Sequence, residues 1–300
     1  MTETTSFFQT HDQLALYFKA IRVEADKASV VFLHGVGEHI GRYAEAFQAF
    51  SEQGYSCFGF DQRGFGRSEG ERGHVNAFSD YVEDLATFID DIVSRDSTKP
   101  VFVLGHSMGS IVALAYALRH QARIQGLLLF SCPLQLQSRP AKLGGFIAQG
   151  AAFILPKLKL PNLIDPRALS NNPANIRAFI ADPLAYTKVS VNWLREFKLA
   201  RAEILKHAGQ ITLPVLMNHG GADTIAALGG ARTLFSALGA QDKTLYVYPG
   251  LKHELLNHCP AERARVLEQT FDWLERRSEV NALSLIMTQK ARTVRPPDSL

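Results

Sequence analysis

The sequence predicts an α/β fold: a mostly parallel central sheet with helices on both faces and an inserted helical segment. Three observations carry this expectation. Short apolar runs alternate with longer stretches whose apolar residues recur at helical spacing. One of the runs, Ser29–Leu33, is continuous enough to be buried on both faces, as strands of parallel sheets are. The rhythm then breaks between Cys132 and Gln210, where prolines from Pro140 to Pro183 punctuate helical or irregular segments without a convincing strand. An interruption of that length is too long for a loop and reads as a helical subdomain.

The elements follow in order. Leu14–Val23 has strand composition and is half of an opening antiparallel pair. Ser29–Leu33 is the first parallel strand and runs into a turn at His34-Gly35. Tyr43, Ala46, Phe47 and Phe50 then form one apolar helical stripe, which Gly54 stops. Tyr55–Phe60 is a strand, followed by a loop over Arg63–Arg72 rich in glycine and charge. Tyr81, Leu85, Phe88, Ile89 and Ile92 make the next helical face, with Ser79 and Asp80 as candidate caps. Val101–Leu104 is a strand, and Met108–Leu118 is apolar nearly all round, so that helix is expected to be buried. Leu127–Phe130, Val215–Asn218 and Leu245–Tyr248 complete the strands. The closing helix starts at Pro260 and buries Leu267, Phe271 and Leu274. The expected layout is a core from residues 1–132 and 211–277, a helical cap from 133–210, and a tail from 278–300.

Composition narrows the function. With 300 residues, 46% hydrophobic and 20% charged, the chain is neither disordered nor collagen-like. The 32 basic and 29 acidic residues are interspersed, which argues against a nucleic-acid partner. Cys57, Cys132 and Cys259 lack both disulfide-scaffold and zinc-ligand spacing, which favours a reducing compartment. No signal-peptide pattern opens the chain, and no apolar stretch reaches the ~18 residues of a membrane span. A soluble, cytoplasmic protein is expected.

The central chemical feature is Gly105-His106-Ser107-Met108-Gly109, a G-x-S-x-G between a strand and a buried helix. A serine on so tight a turn is lifted clear of its neighbours, and the helix start points free N–H groups at charge developing beside it. Serine is a poor nucleophile at neutral pH and needs a base, which in turn needs an orienting acid. Asp223 and His253 both follow predicted strands, at the sheet edge where ligands bind in such folds. From the residues alone, Asp223 also suits a helix cap, and His219 and His258 compete with His253. Gly64-x-Gly66 lacks the spacing of a phosphate loop and reads as structural. His253-Glu254 and Glu38-His39 each miss a zinc motif by one residue, so no metal or other cofactor is expected.

With these residues in place, the chain resembles the monoacylglycerol lipase and lysophospholipase branch of the α/β-hydrolases, the serine aminopeptidase-like Hydrolase 4 group. The matching segments are HGVGEH at His34–His39 with Arg42-Tyr43, DQRGFGRSEGERGH at Asp61–His74, GHSMG at Gly105–Gly109, GGAD at Gly220–Asp223, and His253-Glu254. The resemblance implies an α/β-hydrolase fold with Ser107 as nucleophile, Asp223 as acid and His253 as base. It also implies an oxyanion hole from the backbone N–H groups of Val36 and Met108. Ser110 departs from the family's usual second glycine, and its small side chain should be tolerated in helix packing.

The insertion bears on the substrate. Phe146, Phe153, Ile154 and Leu155 belong to an apolar helical surface suited to a lipid acyl chain, each buried CH₂ contributing about 0.8 kcal/mol. Lys157 and Lys159 beside that surface suit transient contact with an anionic membrane. Glu38 and Arg42 flank the oxyanion turn, where they would meet a polar headgroup. The expected substrate is a small lipid ester, with a monoacylglycerol first and a lysophospholipid or short-chain ester as alternatives. A ligand-binding receptor on a hydrolase fold is the reading of a different class.

Overall fold

In a computed structural model of the chain, residues 1–95, 99–137, 154–161 and 164–293 are described, with side chains as far as Ser278. Strands β1 (Thr2–Gln9) and β2 (Ala15–Arg22) form the expected antiparallel pair, with Thr2 opposite Arg22 and Gln9 opposite Ala15. After them come β3 (Ala28–Leu33), helix α1 (Ala44–Glu52), β4 (Tyr55–Phe60), α2 (Ser79–Phe88), β5 (Val101–His106), α3 (Met108–His120) and β6 (Gly126–Phe130). The next described elements are β7 (Lys159–Pro161), α4 (Pro173–Ala181), β8 (Lys188–Ser190) and α5 (Val191–His207). The chain closes with β9 (Val215–Gly220), α6 (Leu228–Ala237), β10 (Lys243–Tyr248) and α7 (Pro260–Thr293).

Eight strands form one sheet in the order β1-β2-β4-β3-β5-β6-β9-β10. From β4 to β10 every neighbouring pair is parallel. The registers bring the strand ends together: Leu33 lies opposite Gly105, His106 opposite Phe130, Phe130 opposite Asn218, and Gly220 opposite Tyr248. The loops that leave these ends therefore converge on one edge.

Alternation along the strands feeds two cores. Val31, Leu33, Val103, Leu127, Leu129 and Met217 meet α2, α3, α5 and α6 on one face. Val30, Phe32, Phe102, Leu104, Leu128 and Phe130 meet α1 and α7 on the other. A strand buried on both faces reads as a continuous apolar run because its two-residue period serves two cores.

Several details differ from expectation. Ser79 is the first residue of α2 rather than its cap, while the Asp80 carboxylate accepts the N–H of Ala77 at 3.3 Å. Within the stretch from 133 to 210, β7 and β8 pair antiparallel over three residues, too few for alternation to mark them. Also within that stretch, α5 buries Trp193, Phe197 and Ile204 against the α2–α3 layer, and the Trp193 indole N–H donates to the Tyr81 hydroxyl at 3.1 Å. Helix α7 continues to Thr293 through the segment assigned to a tail. Among the described residues no helix is long and apolar enough to cross a membrane.

Leu128 sits at the centre of β6 without solvent exposure. Leu128→Ala should cost about 2–5 kcal/mol of stability through lost burial and a residual cavity. A fall in thermal midpoint with an unchanged far-ultraviolet dichroism spectrum at 20 °C is the expected result.

Candidate active site

Ser107 sits between β5 and α3 with φ 50° and ψ −119°, outside the regions that L-residues favour. Its surroundings hold that conformation. The Ser107 N–H donates to Phe130 C=O at 2.9 Å, and the Ser107 carbonyl accepts from the Ser110 N–H at 2.9 Å and the Ser110 hydroxyl at 2.6 Å. Ser110 thus does more than fit: its buried hydroxyl is satisfied by the elbow itself. Gly109 is required by close approach, since a Cβ there would lie 2.2 Å from the Leu33 carbonyl oxygen.

The structure brings Ser107, His253 and Asp223 together. The Ser107 hydroxyl lies 2.9 Å from His253 Nε2, and His253 Nδ1 lies 2.7 Å from Asp223 Oδ2. All three are buried, with the serine 6% exposed and so still reachable. The second carboxylate oxygen of Asp223 accepts the N–H groups of Ile225 and Ala226 at 2.8 and 2.9 Å. Burial alone would raise this carboxyl's pKa, but His253 and the two backbone donors hold it below the ordinary range. The competing histidines go elsewhere. His219 Nε2 lies 3.2 Å from the Ala226 carbonyl, and His258 contacts the Lys252 and Asn171 N–H groups and Glu262.

The turn after β3 lies against Ser107: a Cβ on Gly35 would come 3.3 Å from that of Ser107. Val36 follows in that turn, half-buried. Met108 is the first residue of α3 and is fully buried, where a backbone N–H has no partner inside the helix. His34 braces the turn. Its Nδ1 donates to the Gly35 carbonyl at 2.7 Å, its Nε2 accepts the Gln62 N–H at 2.8 Å, and burial lowers its pKa and keeps it neutral. From the inserted stretch, the Tyr186 N–H donates to Gly37 C=O at 3.0 Å, and Asp182 contacts His39 Nε2 at 2.7 Å.

Behind this turn lies a buried charge network that sequence reasoning did not assemble. Glu38 contacts His106 Nδ1 at 3.2 Å and accepts from the Tyr43 hydroxyl at 3.2 Å. Arg42 donates to both carboxylate oxygens of Glu254 at 3.0 and 2.7 Å, with its guanidinium over the Phe179 ring. Asn175 and Asn257 also donate to Glu254. Despite burial, His106 and Arg42 pull the Glu38 carboxyl down to about 2, and Glu38 in turn raises the His106 imidazole against its own burial. Glu38 and Arg42, expected to meet a headgroup, are thus engaged inside the protein, although Arg42 also lines a cleft of about 420 Å³ with His39, Asn175 and Asp182. Of the apolar residues expected to line a substrate pocket, Ile154 and Leu155 stand 79% and 56% exposed. Phe146 and Phe153 lie outside the described residues.

Comparison with known proteins decides the family. Residues 24–260 match the Hydrolase_4 family, described as serine aminopeptidase, S33. The chain belongs to that family. A monoacylglycerol lipase of Mycolicibacterium smegmatis is 31% identical over 82% of this chain and 87% of its own length. The monoglyceride lipase of Rattus norvegicus is 33% identical over 85% of this chain and 84% of its own. A crystal structure of Paleococcus ferrophilus monoacylglycerol lipase superposes with a TM-score of 0.80 at 29% identity, covering 87% of this chain and 99% of that one. The sheet order and the surrounding helices are those of an α/β-hydrolase, as the sequence resemblance implied.

The Glu38–His106 pair gives this hydrolase a testable pH signature. The depressed Glu38 carboxyl contributes stability above about pH 4.5 that is lost as pH falls toward about 2. The raised His106 imidazole contributes below its ordinary 6.5 and loses that contribution as pH rises through its folded value. The pair therefore stabilises most between about pH 4.5 and 6.5. Glu38→Gln should lower the thermal midpoint by about 5 °C or more at pH 6, and by less at pH 9. Equal shifts at both values would refute a charged pair.

Proposed function

We propose that this α/β-hydrolase, a carboxylic ester hydrolase, cleaves monoacylglycerols to fatty acid and glycerol, with Ser107 as nucleophile, His253 as base and Asp223 as orienting acid. The observation that carries the reading is the unbroken line from Ser107 Oγ to His253 Nε2 and from His253 Nδ1 to Asp223, at 2.9 and 2.7 Å. The first distance suits proton transfer without rearrangement, and the second suits a hydrogen bond that orients the imidazole.

In this reading His253 takes the Ser107 proton as Oγ attacks the acyl carbonyl. The carbonyl π electrons move onto oxygen, where the N–H groups of Met108 and Val36 receive the negative charge. A single such donor is worth on the order of 3 kcal/mol in comparable enzymes. Collapse of the intermediate breaks the bond to the glycerol oxygen, which leaves with the proton from His253. Water then gives its proton to His253, attacks the acyl-enzyme and releases the fatty acid, restoring the Ser107 hydroxyl. Asp223 stays ionised throughout, and its depressed pKa supports that role.

The monoacylglycerol preference rests on the relatives, which bear that name at 31–33% identity over most of the chain. Exposed Ile154, Leu155 and Leu158 beside the exposed Lys157 support transient contact of this segment with a membrane or lipid surface.

Fatty-acid release from a long-chain monoacylglycerol and its matching lysophosphatidylcholine tests both parts. Ser107→Ala should lose at least about 10³-fold in kcat for either lipid. Retention of most activity would sink the nucleophile, and preference for lysophosphatidylcholine would move the substrate to a lysophospholipid.

A further inference from the structure

Among the described residues, four non-glycine positions have positive φ: Gln13, Ala25, Ser107 and Ser131. Gln13 and Ala25 are exposed turn residues. The buried two are the elbow serine and Ser131, which has φ 48° and no solvent exposure. A buried L-residue in this region persists only where several contacts hold it, and such strain gathers at functional sites.

The contacts at this corner have one destination. The carbonyl of Phe130 accepts the Ser107 N–H at 2.9 Å. One residue later, the Ser131 N–H donates to Asn218 C=O at 2.8 Å, which joins the corner to the end of β9. The Ser131 hydroxyl donates to the backbone carbonyl of His253 at 2.6 Å. His106 Nε2 approaches that same carbonyl at 3.3 Å. Two consecutive residues thus hold the main chain of Ser107 on one side and the main chain of His253 on the other. A β-region backbone at Ser131 would turn its side chain away from that carbonyl, so the unfavourable φ has a local use.

We infer that Ser131 is a positioning residue: its hydroxyl fixes the His253 main chain at a set distance from that of Ser107, so that Nε2 meets Oγ. The inference rests on the reading of Ser107, His253 and Asp223 as the reacting groups. The ring of His253 is oriented by Asp223, while its backbone anchor is supplied by Ser131. A hydroxyl with a purely structural role would change stability, and any rate loss it caused would not depend on whether His253 is present.

The experiment uses the full chain, a p-nitrophenyl butyrate assay and a monoacylglycerol assay. Ser131→Ala, which keeps the corner but removes the donor, should lower kcat by about tenfold on both substrates with KM within about twofold. In a His253→Ala background, Ser131→Ala should change the residual p-nitrophenyl butyrate rate by less than about twofold, because the group it positions is gone. Ser131→Gly relaxes the backbone and also lacks the hydroxyl. It should lose as much kcat as the alanine variant while melting no lower. Full activity in either single variant, or the same fold-loss in both backgrounds, overturns the inference. If Ser107→Ala and His253→Ala themselves stay active, the underlying reading fails and takes this one with it. If those two are inactive and Ser131→Ala is not impaired, only the positioning role falls.

Discussion

The structure depends on one backbone conformation that L-residues avoid. Ser107 at φ 50° costs of order 1–3 kcal/mol, and nothing in its own chemistry repays that. The conformation persists because its neighbours over-determine it. Its N–H is taken by Phe130, its carbonyl by two donors of Ser110, and Gly109 lets α3 approach the Leu33 carbonyl. In return the hydroxyl stands at the C-terminal edge of the sheet, where the loops after β3, β6, β9 and β10 converge. The parallel sheet matters for function through this convergence: four registers end together, so residues more than 140 positions apart in the chain meet within hydrogen-bond distance.

Legibility in the sequence followed the range of the interaction. The strands and the apolar helix faces were readable because alternation and helical periodicity are local signals, and each parallel strand feeds two cores at once. The Ser107 elbow was readable because its glycines are spaced by the turn that needs them. Position after strands made Asp223 and His253 candidates among several histidines, and the family resemblance singled them out. In the structure His253 Nε2 lies 2.9 Å from the Ser107 hydroxyl, whereas His219 and His258 make other contacts. The three-residue strands β7 and β8 carry too little pattern to be seen. The pairing of Glu38 with His106 and of Arg42 with Glu254 spans up to 212 positions, and no spacing rule reaches that far. Glu38 and Arg42 were read from the sequence as groups beside the turn that would meet a headgroup, and in the structure they contact His106 and Glu254. Charged residues at a helix start are usually exposed, whereas these meet partners brought by the end of β5 and by the loop that carries His253.

The buried charges set a further constraint on how this site works. Buried groups that carry charge are costly in a low-dielectric interior unless each is paired and hydrogen-bonded, and removal of one partner leaves the other stranded. Here the pairs connect the turn after β3, the Ser107 elbow and the loop after β10: Glu38 lies two residues past Val36, His106 directly before Ser107, and Glu254 directly after His253. Displacement of any one segment would separate opposite charges as well as break hydrogen bonds. The network therefore penalises relative movement of three loops that no secondary structure joins. An apolar core of equal volume would stabilise the fold as well or better, but it would not resist small sliding motions as steeply. For chemistry in which an error of 1 Å between hydroxyl and imidazole can cost about a hundredfold in rate, that resistance is what a buried ionic brace contributes.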